Sequence, residues 1–128
     1  MDRSQMDKPT ILYVEDDIPS QELVRNYLEE EYRYLVSTTS GEAKRLFEKH
    51  NIRLLLVDLS LAGEEDGLSL VRYLRKRENF YSLPIIAITA HAFTNDRSTC
   101  LKSGCNDYLA KPVSRKDLVE KITQLLRV

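Results

Sequence analysis

RLLLVDLSLAG, residues 53–63, is the stretch on which the fold turns: four consecutive apolar residues, Leu54 to Val57, run into a carboxylate, Asp58. The run is short and apolar on both sides of a two-residue period, as a strand covered on both faces should be. A core covered in this way has no use for an unpaired carboxylate, so Asp58 stands where the strand leaves it. The purpose of that carboxylate depends on what else arrives at the same edge.

Four further runs read as strands: TILYV (10–14), YLVSTT (34–39), PIIAIT (84–89) and DYLAK (107–111). Helical spacing fills the gaps between them. In PSQELVRNYLEEE, Leu23, Tyr27 and Leu28 share one face, and Pro19 suits a first turn. GEAKRLFEKH places Ala43, Leu46 and Phe47 together behind Ser40 as the expected cap. GLSLVRYLRKR offers Leu70, Val71 and Leu74, and a fourth segment, about 95–102, stops at Gly104. The last begins with Ser114 and Asp117, a start like a capping box, and aligns Leu118, Ile122, Leu125 and Leu126. Strands alternating with helices require a parallel sheet with helices on both faces, because parallel neighbours need a crossover. The expectation is an α/β, doubly wound, five-stranded domain over residues 10–128, preceded by a loose tail over residues 1–9.

The 128 residues suffice for one domain, and 42% hydrophobic with 30% charged residues is the balance of a soluble globular protein. A net charge of -1 gives no general attraction to nucleic acid. The basic run Arg72, Arg75, Lys76 and Arg77 reads as a solvated helix C-terminus. No apolar stretch approaches the roughly 20 residues a bilayer span needs, and MDRSQMDKPT lacks a signal-peptide core, so no membrane contact and a cytoplasmic location are expected. Cys100 and Cys105, spaced C-x4-C, match neither a zinc knuckle nor a redox pair and read as packed, reduced thiols.

All strand C-termini of a parallel sheet emerge at one edge, where ligands bind at the reversal of strand order. Strand one ends in Glu15, Asp16 and Asp17, strand three in Asp58, strand four in Thr89, and strand five leads to Lys111 and Pro112. With strands one and three adjacent, Glu15, Asp16 and Asp58 converge. Clustered carboxylates repel unless a cation or proton neutralises them. Mg2+ suits a site with few carboxylates and open positions for phosphate oxygens. Thr89 and Lys111 could hold a phosphoryl group, leaving Asp58 as the nucleophile. Taken singly each residue has a structural reading, as helix-start charge, turn residue or edge lysine. The functional reading draws its force from all of them following different strands of one sheet.

ILYVEDD, LLLVDLSLAGEEDG, PIIAITAHA and DYLAKPV stand in the order and at the intervals of one known family. From Ile11 to about Leu126 the chain resembles the receiver domain of two-component response regulators. The stretch TAHAFTNDRSTCLKSGCNDYLAKPV looks most like receivers attached to hybrid histidine kinases.

The resemblance implies a flavodoxin-like sheet of order 2-1-3-4-5. It implies that Asp58 accepts a phosphoryl group, in a Mg2+-dependent reaction, from phosphohistidine on a sensor histidine kinase or a histidine phosphotransfer protein. Asp16 and Asp58 match direct Mg2+ ligands, the Ser60 backbone carbonyl a third, and Glu15 one acting through water. Thr89 and Lys111 match the residues that bind the phosphoryl oxygens, and Tyr108 the aromatic that reports the phosphorylated state. The Lys111–Pro112 peptide would be cis, turning the lysine inward. Ile18, Ser20, Pro112 and Val113 match the rim that docks a helical partner, while Ser60 and His91 flank the path of water to the phosphoryl group. Two positions depart from the family pattern: Ala62 stands where Pro is usual, and Gly67 arrives one residue late.

The implied function is a phosphorylation switch with an unknown downstream protein target and no output domain. Its only chemistry would be self-catalysed phosphoryl acceptance and autodephosphorylation. Two alternatives differ in class: a phosphorylation-independent interaction domain, and a Mg2+-dependent phosphohydrolase of the haloacid dehalogenase type. The latter looks for an acid two residues past its nucleophile, where this chain has Ser60.

Overall fold

The computed structural model describes residues 8–59, 67–90 and 96–127. Five strands, β1 (Thr10–Val14), β2 (Arg33–Ser37), β3 (Ile52–Asp58), β4 (Ile85–Thr89) and β5 (Asp107–Ala110), form one sheet of order β2-β1-β3-β4-β5. All four pairings are parallel. The helices are α1 (Ile18–Leu28), α2 (Ser40–Lys49), α3 (Gly67–Arg75), α4 (Asp96–Ser103) and α5 (Arg115–Leu126), with a 3-10 turn at Glu78–Phe80. No helix among the described residues is long and apolar enough to cross a membrane.

The two-residue period divides each central strand between two cores. Leu12, Val14, Leu55, Val57, Ile85 and Ala87 pack beneath α2, α3 and α4 with Phe47, Leu70, Val71 and Leu74. Ile11, Tyr13, Leu54, Leu56, Ile86 and Ile88 pack beneath α1 and α5 with Val24, Leu28, Leu118 and Ile122. Each fully buried aliphatic side chain contributes about 1.5–3 kcal/mol, so the side chains of the three central strands stabilise the domain from both faces. This is why LLLV is apolar without alternation.

Three local expectations change. Leu23 is exposed, and α1 instead turns Gln21, Val24 and Leu28 toward the sheet. Gln21 belongs inside because its amide donates to the Glu15 backbone carbonyl at 2.6 Å. The cap of α2 is Thr39, whose hydroxyl accepts from Glu42 N–H at 3.1 Å, while Ser40 is the first helical residue and is buried. Thr38 and Thr39 therefore leave the strand that the β-branched run suggested. Ser114 caps α5 by accepting from Asp117 N–H, as the capping pattern predicts.

Arg72, Lys76 and Arg77 of the basic run are exposed as expected, but Arg75 is not. Its half-buried side chain donates from Nε to Gly104 O (2.9 Å), from one terminal nitrogen to Phe80 O (2.8 Å) and from the other to Asn106 Oδ1 (2.9 Å). Asn106 Oδ1 also accepts from Ile85 N–H, so one guanidinium ties α3 to the starts of β4 and β5. Gly104 carries φ +120°, and an added Cβ would lie 2.6 Å from Arg75 Cγ. Cys100 and Cys105 are buried and in no disulfide; contact with the Cys100 thiol, together with burial, pushes the Cys105 pKa up. Of the expected tail, residues 1–7 lie outside the described residues, and Pro9 O accepts from Arg33 N–H at 2.9 Å.

Candidate functional site

The site forms where β1, β3 and β5 end. Tyr13 and Glu15 fall on the same face of the chain at the end of β1, and Glu15 is fully buried. Its Oε1 accepts from Tyr13 Oη at 3.0 Å, and its Oε2 accepts from Asp17 N–H at 3.0 Å. Asp17 is committed to α1: its Oδ2 accepts from Ser20 N–H (3.0 Å) and Ser20 Oγ (2.6 Å), capping the helix. Those two bonds from Ser20 hold the Asp17 carboxyl below its ordinary pKa. Of the three acids in EDD, the cap removes one and leaves Glu15 and exposed Asp16 to the crevice.

Asp58 ends β3 and is 3% exposed. Glu15, Asp16 and Asp58 each offer a carboxylate oxygen, and these oxygens lie within 4.8 Å of one another. Lys111, directly after β5, reaches 96 residues back in sequence to Glu15 Oε1 at 2.6 Å and also contacts Asp58 Oδ2 at 3.1 Å. Its own N–H donates to Thr89 O, fixing the start of its stem against β4. Burial disfavours the ammonium, but its hydrogen bonds to Glu15 and Asp58 and their charges more than offset this, so the Lys111 pKa lies above its ordinary value. Burial and the neighbouring Glu15 charge keep the Tyr13 phenol protonated well past its usual range.

Among the described residues, one ammonium beside three carboxylates leaves an excess of negative charge in a partly desolvated volume, a strong demand for a second cation. Among the described residues the donors are all hard oxygens, which fits a hard divalent ion of the magnesium type.

Thr89 and Tyr108 occupy the other face of the sheet. The register pairs Thr89 with Ala110 and Ala87 with Tyr108, so the two side chains are diagonal neighbours on the α3–α4 side, both buried. The Lys111–Pro112 peptide is cis. Ser60, Ala62 and His91 lie outside the described residues. Among the expected docking residues, Ile18 is 68% exposed, Pro112 is exposed and Ser20 half-buried. Val113 does not join them: it is 6% exposed, packs in the α1–α5 core, and its carbonyl accepts from Tyr27 Oη. The alternation of an extended segment turns it inward beside exposed Pro112. A groove of about 380 Å³ next to the site is lined by Tyr13, Leu23, Val24, Lys111, Pro112 and Val113, among others. Three of these lining residues are new at the site: Tyr13, Leu23 and Val24. Leu23 reads as core by helical spacing, and Tyr13 reads as core by strand spacing; a phenol within the apolar run Ile11–Val14 was the available signal for Tyr13.

The comparisons with known proteins agree with this architecture. The model of the response regulator receiver domain family matches residues 11–123. The polar-differentiation response regulator DivK of Brucella ovis is 32% identical over 91% of this chain and 95% of its own length. The receiver domain of sensor histidine kinase PA1611 from Pseudomonas aeruginosa PAO1, whose structure has a magnesium ion coordinated in the active-site cleft, superposes with TM-score 0.84. It is 36% identical, covering 92% of this chain and 97% of that one. The receiver domain of Saccharomyces cerevisiae Ssk1, solved with the histidine phosphotransfer protein Ypd1, gives TM-score 0.82 at 29% identity, covering 92% of this chain and 88% of the matched one. With a family match over nearly its whole length and a sheet of the same order, the chain belongs to the response regulator receiver domain family.

Proposed function

We propose that Asp58 accepts a phosphoryl group from a phosphohistidine on a sensor kinase or histidine phosphotransfer protein in the cytoplasm, and that the modified domain switches its binding to a downstream protein. The observation that carries this reading is the Lys111 ammonium shared between Glu15 Oε1 and Asp58 Oδ2 beside the three converging carboxylates. Asp58 Oδ2 faces the ammonium, and its other oxygen attacks phosphorus in line. The P–O bond forms as the P–N bond breaks, with the electron pair going to the imidazole nitrogen. Lys111 then turns from the phosphorylated carboxylate to a phosphoryl oxygen as a point charge, while Glu15 keeps hold of another of its N–H groups.

Asp16 and Asp58, with Glu15 behind them, would hold Mg2+, which when bound neutralises charge on the phosphoryl oxygens. Thr89, buried at the end of β4, offers its hydroxyl to the phosphoryl group. Any movement of Thr89 repacks its diagonal neighbour Tyr108 and through it the surface of α4, β5 and α5. Ile18, Ser20 and Pro112, backed by Val113, form the rim on which the phosphohistidine partner docks; the Ypd1 complex of a similar receiver supports this class of partner. The chain is thus a phosphoacceptor that undergoes its own phosphorylation rather than an enzyme acting on a separate substrate.

Intact-mass measurement after incubation with phosphoramidate tests the reading. Wild type gains one phosphoryl group only with Mg2+, and Asp58→Asn gains none. If wild type binds Mg2+ but no aspartyl phosphate is trapped even on rapid acid quench, phosphoryl acceptance is wrong and a phosphorylation-independent docking domain takes its place.

A further inference from the structure

We infer that Tyr13 is a positioning residue for this site, acting through Glu15 on Lys111; the inference rests on the reading of Asp58 as phosphoryl acceptor. The other β1, β3 and β4 residues facing α1 and α5 in this core are Ile11, Leu54, Leu56, Ile86 and Ile88, all without a polar atom in the side chain. Tyr13 is as buried as they are, yet it carries a hydroxyl that must find an acceptor. That acceptor is Glu15 Oε1, the same oxygen that receives Lys111 Nζ.

The consequence follows from geometry. Glu15 has one more methylene than an aspartate would, and so one more torsion to fix. Asp17 N–H holds Oε2, Tyr13 Oη holds Oε1, and with both oxygens held the carboxylate has one orientation. Lys111 ends a flexible four-carbon stem that is 22% exposed, and a point charge on such a stem sits where its acceptors are fixed. Its contact with Glu15 (2.6 Å) is shorter than that with Asp58 (3.1 Å). The ammonium therefore stays anchored when Asp58 changes charge on phosphorylation. Tyr13 thus fixes an anchor for the ammonium without touching the reacting atoms. The phenol ring, meanwhile, forms part of the adjoining groove wall, a role that phenylalanine would fill equally.

The test is Tyr13→Phe, which keeps the ring and removes only the hydroxyl. Two readouts are taken with and without Mg2+: the 15Nζ resonance of Lys111, and the rate of mass gain across a phosphoramidate series. The expected result is a shifted or exchange-broadened Lys111 resonance and a limiting rate about tenfold lower, the scale of one lost hydrogen bond to a charged group, with half-saturation by donor unchanged. A Lys111 resonance like that of wild type together with an unchanged limiting rate overturns the proposal. Should Tyr13→Phe not fold, 13Cζ labelling of wild-type Tyr13 decides: its resonance must sit at a carboxylate-bonded value and move when Mg2+ is added, and a solvent-like, Mg2+-insensitive value refutes the role. If wild type gains no phosphoryl group while the Lys111 resonance still depends on Tyr13, positioning of Lys111 stands and the phosphoacceptor reading falls.

Discussion

Gly67→Ala isolates how tightly α3 is pressed against β3. A Cβ at Gly67 would lie 2.6 Å from the Asp58 carbonyl oxygen, 3.0 Å from Val57 Cγ2 and 3.1 Å from Leu59 Cα. Two of these atoms are backbone, and Asp58 is held in register beside Ile88 of β4, so the strand cannot yield cheaply. Overpacking of this kind costs roughly 1–3 kcal/mol, and the backbone contacts place it at about 2–3. For a domain of this size, that lowers Tm by roughly 6–15 °C. Gly41→Ala is the control, because an added Cβ there meets nothing within 4 Å and Gly41 lies in the first turn of α2. The same methyl should stabilise that position by about 0.5 kcal/mol, since alanine loses less backbone entropy on folding. Urea unfolding followed by far-UV circular dichroism measures both, and an unchanged m-value shows that stability rather than compactness has moved. A Gly67→Ala protein within 0.5 kcal/mol of wild type, or a Gly41→Ala protein the less stable of the two, would refute the reasoning.

Arg75→Lys should cost about 2–4 kcal/mol in the same assay, because an ammonium cannot serve Gly104 O, Phe80 O and Asn106 Oδ1 together; a loss no larger than that of the exposed Lys76→Ala would count against the clip. The Asp17 carboxyl is held below its ordinary pKa by Ser20, so its stabilising contribution is present above about pH 4 and fades as pH falls through the lower folded-state value. Melting between pH 2 and 6 should therefore show a steeper acid loss in wild type than in Asp17→Asn. Mg2+ at ten times its Kd should stabilise wild type by about 1.4 kcal/mol, with the effect abolished in Asp16→Asn; equal stabilisation of both proteins would place the ion elsewhere.

Some misreadings share a cause. Helical spacing puts Leu23 on an apolar face, but the phase of α1 is set by Asp17 capping at Ser20 and by Gln21 bonding the Glu15 carbonyl, which turns Leu23 outward. Ser40 is a good capping residue, yet Thr39 is the residue that caps Glu42 N–H. Arg75 looks like one cation in a solvated run until Gly104 and Asn106, 29 and 31 residues away, supply its acceptors.

Periodicity is a one-dimensional record of which side each residue turns, so the chain alone determined the alternation of strands and helices, the doubly covered sheet and the arrival of Asp58, Thr89 and Lys111 at one edge. Motif order and spacing also determined the family. Tertiary structure alone decided which polar groups meet. It took Asp17 from the crevice for a helix cap, folded Val113 into the core, and joined Tyr13 to Lys111 through a buried glutamate. The physical reason is that a buried charge is stabilised only by specific partners within hydrogen-bonding distance. Those partners come from other parts of the chain, up to 96 residues distant, brought together by the registers of β1 on β3, β3 on β4 and β4 on β5.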